Sequence, residues 1–146
     1  MFDRIVVVCT GNICRSPMGE ALLREQLAAA GKPRQVISAG IGALVGHAAD
    51  PMARELMLER GIDIEAHRAQ QATLPLLTSM DLILTMDQTH SDWINRKHPQ
   101  LRGKVHKFLK WQGNRDVADP YRLPRSAFEK AWADVEIGVA DWLKRL

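Results

Sequence analysis

The sequence predicts a doubly wound α/β fold, a four-stranded parallel sheet with helices on both faces, built as one domain over residues 1–146. Three observations carry this reading. Short apolar runs alternate along the chain with segments of helical apolar spacing, the pattern of parallel strands joined by crossover helices. The first run, Ile5-Val6-Val7-Val8, is β-branched and free of charge, as a strand buried on both faces should be. No repeat, low-complexity tract or linker divides the chain, and 46% apolar with 25% charged residues suits a soluble globular domain with a real core.

The elements follow in order. Ser16 and Pro17 read as a helix start, with the hydroxyl as N-cap and proline in the first helical position. Met18 to Ala30 continues that helix, closed by Gly31 with Pro33 beyond it. Gln35 to Ser38 is a short second strand, leading into a flexible stretch from Ala39 to Gly46. Asp50-Pro51 opens a second helix with Met52, Leu56 and Met57 on its apolar face and Gly61 at its end. Asp81 to Met86 is the third strand, and Asp87 caps a helix that stops before Pro99. Lys104 to Phe108 alternates as an edge strand should. After a polar loop containing Asp116 to Tyr121, a capping box at Ser126-Ala127-Phe128-Glu129 starts the last helix. Its stripe is Phe128, Trp132, Val135, Val139, Trp142 and Leu146, with the tryptophans as core.

Chemistry concentrates between the first strand and first helix, in Cys9-Thr10-Gly11-Asn12-Ile13-Cys14-Arg15-Ser16. A loop that wraps onto a helix N-terminus turns successive backbone N–H groups toward one small volume and holds a tetrahedral oxyanion there. Thr10 to Ser16 would supply that cradle, and the Arg15 guanidinium would grip two phosphate oxygens at once. Gly11 and Asn12 are residue types that tolerate the positive φ such a curl needs. A thiol facing those N–H groups and the arginine has its pKa drawn from about 8.5 toward roughly 3.5–7.5, so Cys9 is expected to be a thiolate placed for in-line attack on phosphorus.

The Cys-x5-Arg-Ser pattern resembles the phosphate loop of the protein tyrosine phosphatases, and C-T-G-N-I-C-R-S-P near the N-terminus resembles the low-molecular-weight class. A phenolate leaves more easily when protonated in flight, and the same group can then activate water. The loop after the fourth strand ends on the same side of the sheet as the Cys9 loop, and its Asp119-Pro120-Tyr121 matches the general-acid motif of that family. The resemblance therefore implies a phosphocysteine intermediate on Cys9, with Asp119 as acid and then base. It also implies a supporting hydrogen-bond network of Asn12, Ser16, Ser38 and His67, with Ser16 donating to the Cys9 sulfur. Eukaryotic members carry an aromatic clamp where this chain has Leu44, and often a second aromatic where it has Arg122. The sequence instead resembles the bacterial, Wzb-like branch, which implies Tyr121 as the main wall of the substrate rim and Leu44 as a weaker one. The implied partner is a phosphotyrosine protein, an autophosphorylated bacterial tyrosine kinase controlling capsule or exopolysaccharide production, with inorganic phosphate as product.

Rivals of the same fold are an arsenate reductase and a protein-arginine phosphatase. The thioredoxin-coupled reductase needs relay cysteines, and this chain has none beyond Cys14; relatives of the arginine phosphatase resemble this loop with threonine at the position of Ile13. A non-catalytic phosphotyrosine-binding module would have no use for both Cys9 and Asp119. Cys14 is either the thiol that captures an oxidised Cys9 as a disulfide or a small packed residue. No cofactor is implied, and His47, His90, His98 and His106 lack metal-ligand spacing. The net charge of +3 is spread along the chain and gives no nucleic-acid footprint. Two cysteines, an N-terminal apolar run broken by Asp3 and Arg4, and no membrane-length apolar segment point to a reducing, cytoplasmic setting.

Overall fold

A computed structural model of the chain describes residues 2–146. Its strands are β1 (Arg4–Cys9), β2 (Gln35–Gly40), β3 (Leu82–Thr85) and β4 (Val105–Lys107). Its α-helices are α1 (Arg15–Ala29), α2 (Pro51–Glu59), α3 (Leu74–Thr78), α4 (Gln88–Lys97) and α5 (Arg125–Leu143), with a 3₁₀ helix at Pro99–Lys104. The strands pair in the order β2-β1-β3-β4, every pairing parallel, with Val8 opposite both Ala39 and Thr85. Chain order reverses between β1 and β3, the crevice where open α/β sheets carry their sites.

Period-two alternation divides the β1 side chains between two cores. Ile5 and Val7 join Leu82 and Leu84 in a core completed by Met18, Leu23 and Leu27 of α1, Leu56 and Met57 of α2, and Phe128, Trp132 and Val135 of α5. Val6 and Val8 join Ile83 in the opposite core, closed by Leu77 of α3, Ile94 of α4 and Leu101 of the 3₁₀ helix. Trp132 and Trp142 are core residues, and Trp142 Nε1 donates to the Phe108 carbonyl at 3.1 Å. Gly138 lets α5 approach that same point, since a Cβ there would collide with the Phe108 ring.

Local caps behave largely as the sequence predicts. The Gly31 N–H bonds Ala28 O and the Lys32 N–H bonds Leu27 O, with Gly31 at φ +73°, a paired closure that also ends α2 at Gly61. Asp50 accepts from the Met52 N–H and Asp87 from the His90 N–H.

The structure corrects several expectations. Helix α1 begins at Arg15, so Ser16 lies inside its first turn and is not the N-cap; its hydroxyl is spent on the Cys9 sulfur and Asn12 instead. Ser126 likewise lies inside α5, whose N-cap is Pro124 with no side-chain bond; the capping box does not form, and Glu129 pairs with Arg125. Leu146 lies beyond the end of α5 and packs on the core from the tail. Ala39 and Gly40 belong to β2, held by its register with Val8 and Cys9, and both are buried. Lys104 closes the 3₁₀ helix, where its Nζ reaches the Thr78 and Met80 carbonyls. Helix α3 and the 3₁₀ helix are too short to show a helical period, and only the Thr73 cap followed by Pro75 marks the start of α3.

Candidate active site

The loop from Cys9 to Arg15 leaves β1 at the switch point and folds with its carbonyls facing out. Cys9 O accepts from Ile41 N–H, Thr10 O from Gly42 N–H, Gly11 O from Leu44 N–H, Ile13 O from Asp50 N–H and Cys14 O from Met18 N–H. Asn12 O accepts from His67 Nε2 at 2.7 Å. Among the described residues, none of the N–H groups of Gly11, Asn12, Ile13 and Cys14 has a protein acceptor. A curved run of N–H donors whose carbonyls are all occupied elsewhere is an anion cradle. No side chain caps the adjoining start of α1, which leaves the positive end of that helix to the same volume.

Asn12 holds the curl. It sits at φ +61°, fully buried, and every polar atom of its side chain is engaged. Nδ2 donates to Ser16 Oγ at 2.8 Å and Ser38 Oγ at 2.9 Å, while Oδ1 accepts from the Gln70 N–H at 2.9 Å. Ser38 Oγ in turn donates to Glu20 Oε1 at 2.7 Å. Because Ser16 Oγ accepts from Asn12, its O–H is left for Cys9 Sγ, 2.8 Å away. The Asn12, Ser16, Ser38 and His67 network is therefore present as a physical unit, and Glu20 and Gln70 extend it. Gly40 allows β2 to press against this loop, since a Cβ there would run into the Thr10 carbonyl oxygen and lie 3.0 Å from Asn12 N.

Cys9, Thr10, Gly11, Ile13, Cys14, Arg15, Leu44, Asp119 and Tyr121 line one cavity of about 160 Å³, together with Gly42. Asn12 and Ser16 lie behind it. Arg15 is 2% exposed. Its Nη1 donates to Asp87 Oδ2 at 2.7 Å and to Val117 O at 2.8 Å, and its Nη2 lies 3.7 Å from Asp119 Oδ2. Asp119 is half-exposed, and its Oδ1 accepts from the Tyr121 N–H at 3.1 Å, so the Asp-Pro-Tyr turn aims one carboxylate oxygen at the arginine. Ile13 and Leu44 flank Gly11 as apolar walls, and Leu44 and Tyr121 are exposed at the rim.

Asp87, which the sequence marks only as a helix cap, also anchors Arg15 from across the switch point. Burial opposes its charge, but the hydrogen bond from Arg15 and the charges of His90 and Arg15 outweigh burial and hold its carboxyl below the ordinary value. An acidic residue directly after a buried strand, at the carboxyl edge of the sheet, is the signal that could have found it. Burial pushes the Cys14 thiol up, reinforced by Asp50, so it stays protonated at neutral pH. Both cysteines are free thiols. Among the described residues no group of three or more His, Cys, Asp or Glu side chains could hold a metal, and no helix is long and apolar enough to cross a membrane.

Fold and site together define an α/β protein with a thiol at the floor of an oxyanion cradle, an arginine within it and a carboxylate at its mouth. Residues 4–146 match the family described as low molecular weight phosphotyrosine protein phosphatase. A curated relative from Ralstonia nicotianae, described as a probable low molecular weight protein-tyrosine-phosphatase EpsP, is 48% identical over 100% of this chain and 97% of its own. The solved structure of Vibrio vulnificus Wzb in complex with benzylphosphonate is 40% identical, covers 100% of both chains and superposes with a TM-score of 0.93. A structure of the YwlE arginine phosphatase, a cysteine-to-serine mutant with a phosphorylated active-site serine, is 32% identical over 97% of this chain and 94% of its own, with a TM-score of 0.92. This chain belongs to the low molecular weight phosphotyrosine protein phosphatase family.

Proposed function

We propose that this chain hydrolyses phosphotyrosine in proteins through a phosphocysteine on Cys9. The cavity that Cys9, Arg15 and Asp119 share carries this reading, because it sets a nucleophile, a phosphate clamp and a proton donor around one small volume. Cys9 Sγ attacks phosphorus as the thiolate, the P–O bond to tyrosine breaks, and Asp119 delivers its proton to the leaving phenolate. Arg15 and the loop N–H groups hold the three equatorial oxygens as charge spreads over them. Asp119, now a carboxylate, takes a proton from water; that water attacks phosphorus, the P–S bond breaks, and inorganic phosphate leaves with Cys9 restored.

Specificity for a phenyl ester is supported by apolar Ile13 and Leu44 on one side of the cavity and Tyr121 at its rim. The higher identity to Wzb than to the arginine phosphatase points the same way. The substrate proposed for this chain is an autophosphorylated bacterial tyrosine kinase of capsule or exopolysaccharide production, met in the cytoplasm, as the resemblance to the Wzb-like branch implies.

Incubation with matched phosphotyrosine and phosphoarginine peptides, followed by rapid acid quench and mass spectrometry, tests the reaction. Preferential turnover of phosphotyrosine with an 80 Da adduct on the Cys9 peptide is the expected result, where 80 Da is roughly the mass a phosphoryl group adds. Turnover of phosphoarginine alone, or an adduct on Cys14, would overturn it. A phosphotyrosine survey of cells lacking the protein tests the kinase.

A further inference from the structure

The cap of α4 is unusual in its chemistry. A capping box ordinarily ends in an exposed Glu or Gln at the third helical position. Here that position is His90, 0% exposed, whose Nδ1 accepts the Asp87 N–H at 3.1 Å while its own N–H reaches Asp87 Oδ1 at 3.3 Å. An imidazole that accepts at Nδ1 carries its proton on Nε2 when neutral. Nε2 lies 2.9 Å from Thr10 Oγ1, so the ring donates to the residue directly after Cys9.

The same Asp87 accepts from Arg15, at the opposite end of the phosphate loop. Thr10, His90, Asp87 and Arg15 thus close a ring of hydrogen bonds around the loop. Strand pairing sets the span: β1 and β3 are neighbours, and the Met86 N–H bonds Val8 O at 3.0 Å, which brings the start of α4 beside the loop. Asp87 and the Val117 carbonyl fix Arg15, but neither touches the first residue of the cradle. With Thr10 tethered to the same cap, the guanidinium and the first cradle residue keep a fixed separation.

We infer that His90 is a positioning residue of the phosphate site, tying Thr10 to the Asp87–Arg15 pair so that the loop and its arginine hold one spacing. This rests on the catalytic reading above and goes beyond it, since His90 does not line the cavity.

The Nδ1 side of the imidazole responds to pH and the Nε2 side does not. Burial lowers the His90 pKa to about 4; Asp87, Asp119 and Asp116 face the ring and oppose that, while Arg15 reinforces it. Protonation would place a second N–H against the Asp87 N–H but 3.4 Å from Asp87 Oδ1, exchanging the capping bond for an ion pair while the Nε2 donor stays on Thr10.

His90→Asn keeps an acceptor near Nδ1 for the cap and removes the Nε2 donor; Thr10→Val removes the acceptor from an exposed residue. Steady-state turnover of a phosphotyrosine peptide, and inhibition by inorganic phosphate, are measured for wild type, both single variants and the double variant from pH 4 to 6.5. At pH 6.5 each single variant is expected to lose about three- to tenfold in kcat/KM, the range for one net hydrogen bond, and to bind phosphate correspondingly more weakly. The double variant is expected to be no worse than either single one. The wild-type to His90→Asn ratio is expected to persist as pH falls toward 4, since the protonated ring keeps its Nε2 donor on Thr10. Losses that multiply in the double variant, a ratio that collapses to one at pH 4, or a Thr10→Val enzyme within twofold of wild type would each overturn the role. Failure of the catalytic reading looks different: wild type itself would not turn over the peptide, or Cys9→Ser would retain activity.

Discussion

Arg15 and Asp87 stand 72 residues apart in the chain and 2.7 Å apart in the fold, the arginine buried and the carboxylate one-fifth exposed. The pair leaves the arginine only one well-filled nitrogen: Nη1 serves both Asp87 and Val117 O, while Nη2 faces the mouth and Asp119. A guanidinium held by one corner and open at another is suited to receive a second anion.

Asp87→Asn should separate these duties. Asparagine retains an acceptor for the α4 cap but leaves the buried cation with only the half-exposed Asp119 as counter-charge, a loss somewhat below the roughly 3–5 kcal/mol for breaking a buried pair because Asp87 is partly solvated. Urea unfolding is expected to show about 2–3 kcal/mol lost, and inorganic phosphate added to the variant is expected to restore part of it by neutralising Arg15. An unchanged unfolding midpoint would show that Val117 O alone suffices.

Asp119→Asn is expected to lower kcat on phosphotyrosine peptides by roughly 100- to 10,000-fold, the usual span for a general acid, with KM little changed. The loss should be smaller on esters whose leaving group needs no proton. Its side chain is half-exposed and bonds only its own turn and the arginine, so thermal stability is expected to stay near wild type.

Acid should weaken the fold at this junction in two steps. His90 titrates at about 4 in the folded chain against an ordinary 6.5, so the unfolded chain binds more protons between those values, and stability falls as pH drops from 6.5 to 4. That step is worth at most about 3 kcal/mol. The Asp87 carboxyl, also held low, contributes stability above its ordinary value that is lost as pH falls through its folded value. Urea midpoints measured across pH 3 to 7 are expected to decline toward acid, and His90→Asn is expected to flatten the portion between 6.5 and 4.

Gly40→Ala is expected to cost roughly 1–3 kcal/mol and to depress turnover together with stability, because the added carbon meets backbone atoms of Thr10 and Asn12 that cannot rotate aside. A fully active Gly40→Ala enzyme would mean that β2 can draw back from the loop without disturbing the cradle.

The two thiols should differ in reactivity. Iodoacetamide at neutral pH is expected to modify Cys9 first, while Cys14, which lines the same cavity but is held protonated, reacts far more slowly. Peptide mapping of the labelled protein distinguishes them, and prior labelling of Cys14 would reverse the assignment.

Much of this molecule could be read from short-range signals. The uncharged run Ile5 to Val8 announces a doubly buried strand, Gly31 and Gly61 announce helix ends, and Gly11-Asn12 between Cys9 and Arg15 announces a loop curled on an anion. Each depends on backbone preferences or periodicities that act within a few residues, which is why a linear reading finds them. Partner choice among polar side chains is different. Ser16 had a helix terminus beside it and took the sulfur of Cys9; Asp87 had its own cap and also took Arg15; His90 had the same cap and also took Thr10. For Ser16 the curl of the loop decided, bringing its hydroxyl to a sulfur seven residues back; for Asp87 and His90 the winner was whichever atom the pairing of β1 with β3 brought within about 3 Å, where a hydrogen bond forms. That pairing joins residues 77 positions apart, such as Ile5 and Leu82, a distance over which neither periodicity nor capping chemistry carries information.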